Sequence, residues 1–375
     1  MKYLPLYLVF LFIIISCSLN SKENSVKTID LKMNKTKWVE ADSIIDHINL
    51  ISLETDKNSL INHVDKIKIF RNNIYVLDRD SGTIFVFSQA GKFLFKISKQ
   101  GNGFGEYLLI SDFDVNPDSG EIYILDGMTD KLLIFQKDKF IEDHGLKFGA
   151  KVNAFCFLKD GTIVFDNQLS IAKDGWKYHL IFVDKGLNIL DKRIPYMKST
   201  SLIMSPISPF VNLGDVVSYQ PVYEDTVFHL KDAKMEAEYK LDFGSNWLDK
   251  NFLLDDKLDA MSFLKGLNKH NMISFLNIIE SNSHLFIYFT LKGKKYAYLY
   301  DKQMKKGAFI TNYMENECGY NGLPIISDGI FFVGIINPYE LSNINERVNK
   351  LYPMLKKVKE GDNPVISIIK FKNIK

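Results

Sequence analysis

From about residue 64 onward the chain is a succession of short apolar runs, rich in β-branched and aromatic residues and separated by Gly, Asn, Asp and Pro. Runs of that length and composition predict β-strands. Two stretches are near copies: NIYVLDRDSGTIFVFSQAGKFLFKI at 73–97 and EIYILDGMTDKLLIFQKDKFIEDHG at 121–145, with Ile74 to Asp78 matching Ile122 to Asp126 at a shift of 48 residues. A repeat of this period made of four short strands predicts the blades of a β-propeller. The strands parse as 64–70, 74–78, 83–88 and 93–98 for a first blade, then 110–115, 121–126, 131–136 and 139–146 for a second. A third takes 152–158, 162–167, 179–184 and 189–195, and a fourth 209–213, 216–220, 226–231 and 235–243. A fifth takes 273–281, 284–291, 296–301 and 308–313, and a sixth only 322–327, 330–336 and 365–372. The fold class is therefore all-β, a six-bladed propeller, with two short helical insertions at 247–269 and 337–358. The sixth blade lacks a strand, and Val26 to Leu31 is the segment expected to supply it, because closure removes an exposed sheet edge.

The first residues follow another pattern. Lys2 is followed by a twelve-residue apolar run, Leu4 to Ile15, interrupted only by Pro5. About 20 apolar residues are needed to span a bilayer, so the run suits the core of a signal peptide. It ends in Ile14-Ile15-Ser16-Cys17, which resembles the bacterial lipobox. The resemblance implies lipid on the Cys17 sulfur and a mature chain beginning there. The expected organisation is a signal peptide at 1–16, a polar tether at 17–25 and the propeller at 26–375. The expected location is the bacterial cell envelope, lipid-anchored in the outer membrane on its periplasmic or surface face.

Composition changes this picture little. With 46% hydrophobic and 13% aromatic residues the chain can build a large core, which excludes disorder as its main state. Its 47 basic and 45 acidic residues are interspersed and leave a net charge of +2, so no basic stripe marks a nucleic-acid partner. The three cysteines, Cys17, Cys156 and Cys318, form no CxxC, and a structural zinc site is not expected. Cys156 alternates within an apolar strand and reads as a buried thiol without a disulfide to Cys318.

Several motifs imitate chemistry. Gly101, Gly103 and Gly105 lead into a strand, whereas phosphate loops open a helix; the glycines read as a tight inter-blade turn. Asp112, Asp114 and Asn116 begin like a calcium loop, but Pro117 occupies the position that needs Gly and Tyr123 the position that needs Glu. Asp78, Asp126 and Asp166 end the second strand of three successive blades, and that regularity predicts a structural role capping the following turn. The histidines are scattered, and neither HExxH nor GxSxG occurs.

The loop KQGNGFGEY at 99–107 resembles the Gly-x-Gly-Pro-Gly-Glu-Tyr signature of NHL-like six-bladed β-propeller lipoproteins of bacterial envelopes. The IYVLD repeats, YEDTVFHL at 223–230, YKLDFG at 239–244 and NPVISIIKFK at 363–372 agree with it in order, while Phe104 stands where the signature has Pro. The resemblance implies architecture without a reaction. The function expected is a non-catalytic binding or scaffolding module, tethered to the membrane and facing a protein or carbohydrate ligand, with no cofactor. The alternative is a propeller enzyme of lactonase or lyase type, with a channel calcium held by Asp112, Asn153 and Asn212. In a four-stranded blade the second-to-third-strand loops and the inter-blade loops share one face, and the long segments all fall in these two classes. Insertions confined to one face of a repeat protein commonly mark its binding side. Arg79, Tyr107, Trp176, Tyr219 and Tyr223 lie in these segments and are the expected contacts, aromatics and Arg being enriched at interface hot spots.

Overall fold

The computed structural model describes residues 26–169, 177–196, 208–249, 251–252, 259–311, 323–343 and 352–374. Cys17, Trp176, Cys318 and the segments expected to be a signal peptide and a tether lie outside these residues. The described chain begins with β1 (Lys27–Asp30), β2 (Trp38–Glu40), the four-residue α1 (Ala41–Ile44) and β3 (Ile45–Ser52). Blade one is β4 (Lys66–Phe70), β5 (Asn73–Asp78), β6 (Thr83–Ser88) and β7 (Phe93–Ile97). Blade two is β8 (Ile110–Val115), β9 (Ile122–Asp126), β10 (Lys131–Gln136) and β11 (Lys139–Gly145); blade three is β12 (Ala154–Phe157), β13 (Ile163–Asp166), β14 (Tyr178–Val183) and β15 (Ile189–Pro195). Blade four is β16 (Phe210–Asn212), β17 (Val217–Tyr219), β18 (Thr226–Lys231) and β19 (Lys234–Asp242). After α2 (Ala260–Lys269), blade five is β20 (Ile273–Glu280), β21 (His284–Leu291), β22 (Lys294–Asp301) and β23 (Lys306–Thr311); β24 (Leu323–Ser327), β25 (Phe332–Ile336) and β26 (Val365–Phe371) belong to blade six. Blades one to five each contain a four-strand meander, and blade six joins β24, β25 and β26 in the same way. Contacts of β8 with β12 and of β24 with β16 and β20 place the first strands innermost.

The fourth strand of blade six is β3, antiparallel to β26 from Ser52↔Val365 to Ile45↔Phe371. This corrects the expectation that Val26 to Leu31 closes the ring. The four residues of β1 are too few to cover the seven of β26, whereas β3 has eight. Instead β1 runs parallel to β19 as a fifth strand on blade four. There Ile29 and Leu31 enter a core with Val227, Tyr239, Leu241 and Phe289. β2 likewise adds in parallel to β23 on blade five. The N-terminal segment is thus a belt over blades four, five and six in turn.

Both faces of each blade are buried. In β5, Ile74 and Val76 pack with Val333 and Ile366 of blade six, while Tyr75 and Leu77 pack with Phe113 and Leu133 of blade two. Each such side chain contributes about 1.5–3 kcal/mol of burial. At the closing seam, Gly91 has φ +80 and a Cβ there would run into the Ser52 carbonyl; the Gly91 oxygen accepts the Glu54 N–H at 2.8 Å. Buried Asn363 holds the same seam: its Oδ1 accepts from Ile61 N, and its Nδ2 donates to the Glu54 and Ser59 oxygens, each at 2.8 Å.

Both helical insertions fall where expected, the second as 3₁₀ turns rather than α-helix. The first holds α2, capped by the Asp259 carboxylate on Ser262 N. The second shows two 3₁₀ turns, Pro338–Asn343 and Pro353–Lys357, among its described residues; a proline starts each, and proline suits only the first turn of a helix.

Deleting residues 363–375 should remove β26 from between β25 and β3, open the ring and abolish a cooperative thermal transition. Deleting residues 1–31 should lower the midpoint but keep one transition, because β1 lies outside the closed ring. Calorimetry on both deletions checks this; an unchanged midpoint for the first would contradict the closure.

Candidate functional site

The inner strands line a central channel. Lys66 Nζ donates to Asp112 Oδ1 at 2.6 Å and to the Phe113 oxygen at 2.9 Å, and both charged groups are buried. Lys68 meets Asp114 at 2.7 Å one step along the same pair of strands. The second Asp112 oxygen accepts Phe155 N–H at 3.0 Å, so one carboxylate links blades one, two and three. Burial pushes the Asp112 carboxyl up from its ordinary range, opposed by the Lys66 ammonium and the Phe155 N–H. Below this pair a lumen of about 390 Å³ runs between the inner strands of blades one, two, three, four and six.

Above it, on the face of the inter-blade and second-to-third-strand loops, opens a cavity of about 530 Å³. Its polar rim comes from successive blades: His63 and Asp65 before blade one, Arg79 at its second turn, Ser111 in blade two, Asn153 and Gln168 in blade three. Pro209 of blade four and Phe275 of blade five complete the wall. The Arg79 side chain donates to the Ser111 and Ile110 carbonyls at 2.6 and 3.3 Å, and its Nη1 stands 3.5 Å from Asp65. The guanidinium is therefore fixed across the blade one–blade two junction while about 39% of the side chain remains exposed.

The expected contact residues divide. Arg79 lies in the cavity wall. Tyr107 does not face outward: it is 1% exposed, its hydroxyl donates to the Gly82 oxygen at 2.8 Å and accepts from Lys99 N at 2.9 Å, and burial pushes its pKa up to about 12. Tyr219 is equally internal, with its hydroxyl on Asp166 Oδ1 at 3.2 Å. Tyr223 packs edge-on against Phe263 of α2 and so seats the insertion on the ring. Tyr107 follows a loop, whereas Tyr219 ends strand β17, within the run 216–220 that reads as a strand; both sit where neighbouring blades press together. His63, Asp65, Ser111 and Gln168 were not singled out by sequence, because no spacing signals that the loop before blade one, the inner strand of blade two and a turn of blade three converge.

The proposed calcium ligands do not converge. Asn153 precedes the inner strand of blade three and borders the upper cavity, whereas Asn212 ends the inner strand of blade four and lines the lumen below. Asn212 Oδ1 accepts Gly214 N at 2.8 Å, and Asp112 is taken by Lys66 and Phe155. Among the described residues no group of three His, Cys, Asp or Glu could hold a metal.

The three recurring aspartates do cap turns: Asp78 accepts Ser81 N, Asp126 accepts Met128 N and Asp166 accepts Gln168 N. Two of them also grip the preceding inter-blade loop, Asp78 through Asn62 N and Asp126 through Leu108 and Leu109 N. Asp166 Oδ2 is buried without a partner among the described residues, and burial raises this carboxyl to about 7. The glycine loop is a turn, as expected. Gly105 has φ +73 and faces the Phe140 ring, Gly103 N donates to Glu106, and Phe104 is 94% exposed at its apex. Cys156 is a buried free thiol, pushed well up by burial.

A family model described as a domain of unknown function, DUF4934, matches residues 26–370. The chain belongs to the DUF4934 family. This DUF4934 propeller is similar in fold to a protein from Bacteroides fragilis described as exported, with TM-score 0.81 and 20% identity over 93% of this chain and 100% of that one. It also resembles a member of the DUF4221 family from Bacteroides vulgatus, with TM-score 0.53 and 10% identity over 88% of this chain and 98% of that one. No curated protein matches it.

Two outcomes follow for the channel of this DUF4934 chain. Lys66→Met should cost about 3–5 kcal/mol in denaturant unfolding by leaving Asp112 buried and unpaired, and the Lys66→Met/Asp112→Leu double variant should recover most of it; equal losses in both would show that the ion pair itself is not the source. The Asp166 carboxyl ionises near 3.8 in the unfolded chain and near 7 when folded. Between those values the folded state keeps a proton that the unfolded state has released, so this group lowers stability as pH rises from about 4 to 7. Asp166→Asn should therefore gain melting temperature relative to wild type as pH goes from 5 to 8; a constant difference would contradict the raised value.

Proposed function

We propose that this DUF4934 chain is an envelope protein held to a membrane by lipid on Cys17, with a propeller that acts as a non-catalytic binding module. The lipid reading rests on the apolar run ending in Ile14-Ile15-Ser16-Cys17 and on the NHL-like lipoprotein resemblance. Export of a protein with the same fold supports the location. Its ligand, a protein segment or a carbohydrate, enters the upper cavity. The observation that carries this reading is the division of labour around Asp112. Beneath the cavity the Lys66–Asp112 pair is buried and closed off, whereas the rim holds Arg79, His63, Asn153 and Gln168, from loops before and within blades one and three, at an open mouth on a rigid frame, with Arg79 still about 39% exposed. Function concentrates on loops held by such a frame.

Two readouts separate the parts of the proposal. Cys17→Ala in the full chain should abolish acyl labelling and move the protein out of the membrane fraction; unchanged labelling overturns the anchor. A glycan array and a library of envelope-derived peptides should each be screened against wild type, Arg79→Ala and Gln168→Ala. A hit weakened about tenfold or more by both variants at unchanged melting temperature supports the cavity. Hits that both variants retain in full would overturn it.

A further inference from the structure

A further cavity, of about 310 Å³, lies on the face opposite the upper one, in the seam where the ring closes between blades six and one. Its floor is apolar: Ile51 and Ile368 from the outer half of blade six, Phe331 from the first turn of that blade, and Ile69 and Ile74 from blade one. Its rim is amide. Asn49 stands on the closing strand β3, opposite Ile368, and Asn72 and Gln89 stand on two turns of blade one joined by the Gln89 N–H to Asn72 oxygen bond at 2.8 Å. Among the described residues these three side chains are not committed to another protein group.

The formal charges at the rim are already engaged. Lys370 pairs with Asp46 at 3.3 Å, and the Asp328 carboxylate accepts Ile330 and Phe331 N–H at 2.9 and 2.7 Å. What remains is the His47 imidazole at one side and a set of neutral amides that both donate and accept, placed over isoleucines and a phenylalanine. A sugar ring has that same division, with apolar C–H faces and a girdle of hydroxyls. The volume is at the small end of the range for small-molecule sites, about 300–1,000 Å³, which suits one or two rings.

We propose that the blade six–blade one seam is a binding site for a neutral saccharide unit, distinct from the upper cavity. Because the amides stand on both sides of the seam, a bound sugar bridges the closing strand to blade one and strengthens closure. The site does not depend on the lipid anchor or on the ligand of the upper cavity.

The test is calorimetric titration and thermal shift on the full chain with glucose, mannose, galactose and N-acetylglucosamine, and with gluconate and glucosamine as charged analogues. At least one neutral sugar should bind and raise the melting temperature, with the charged analogues weaker. Asn72→Ala and Gln89→Ala should each weaken that sugar about tenfold, and Asn49→Trp, which places a ring over the cavity, should abolish it. Asn49 and Gln89 are exposed, so the unliganded melting temperature of their variants should move little. Asn72 has φ +66, where alanine is strained, so its sugar affinity is also read in Asn72→Asp and Asn72→Gly, which tolerate that backbone. Arg79→Ala, in the other cavity, should leave sugar binding unchanged. Absence of binding by every neutral sugar, preference for a charged analogue, or binding lost with Arg79→Ala but kept by the seam variants would each overturn the proposal.

Discussion

Everything in this propeller depends on burying both faces of every blade at once. A single four-stranded sheet can hide one face on a neighbour and leave the other wet. In a closed ring each blade is both cover and covered, and no sheet keeps a bare face. The β5 strand shows the constraint within four residues, since alternate side chains serve two different cores. The ring can meet this demand only if blade six is complete, and its outer strand comes from the opposite end of the chain.

That constraint explains what could be read from the sequence. Strands buried on both faces lose the apolar–polar alternation and read as continuous runs such as Ile74 to Leu77, so each blade stood out and most strand bounds agree within two residues. The Asp78, Asp126 and Asp166 caps were legible because their turn geometry is local. Closure was not. The expectation fell on Val26 to Leu31 alone, and finding Ile45 to Ser52 instead requires knowing that β26 needs a partner of its own length. Tyr107 and Tyr219 failed as contacts for a related reason. An aromatic in a loop, like Tyr107, or at the end of a strand, like Tyr219, can face outward or wedge between blades, and only the position of the next blade decides.

The channel shows how polar groups survive in such a packed ring. Lys66, Asp112 and Phe155 N–H satisfy one another across three blades, and Arg79 spends its donors on carbonyls of the next blade. Similar bridges recur farther round: buried Glu280 of blade five takes Ser218 and His229 of blade four. Cys156, the free cysteine among the described residues, contributes only apolar volume.

The belt formed by β1, β2 and β3 has a kinetic consequence. The strand that completes the last blade is among the first to be synthesised, and its partner β26 is among the last. Until residues 365–371 arrive, β3 has no antiparallel neighbour, and the contacts between them span more than three hundred residues of sequence. Closing so long a loop costs little more than closing a shorter one, since the entropy grows only with the logarithm of length, but it sets an order of events. Blades one to five can assemble as the chain emerges, while the ring as a whole must wait for its final strand. An unfinished chain therefore presents an open sheet edge, and a chain truncated near its end is marked as incomplete by its own geometry.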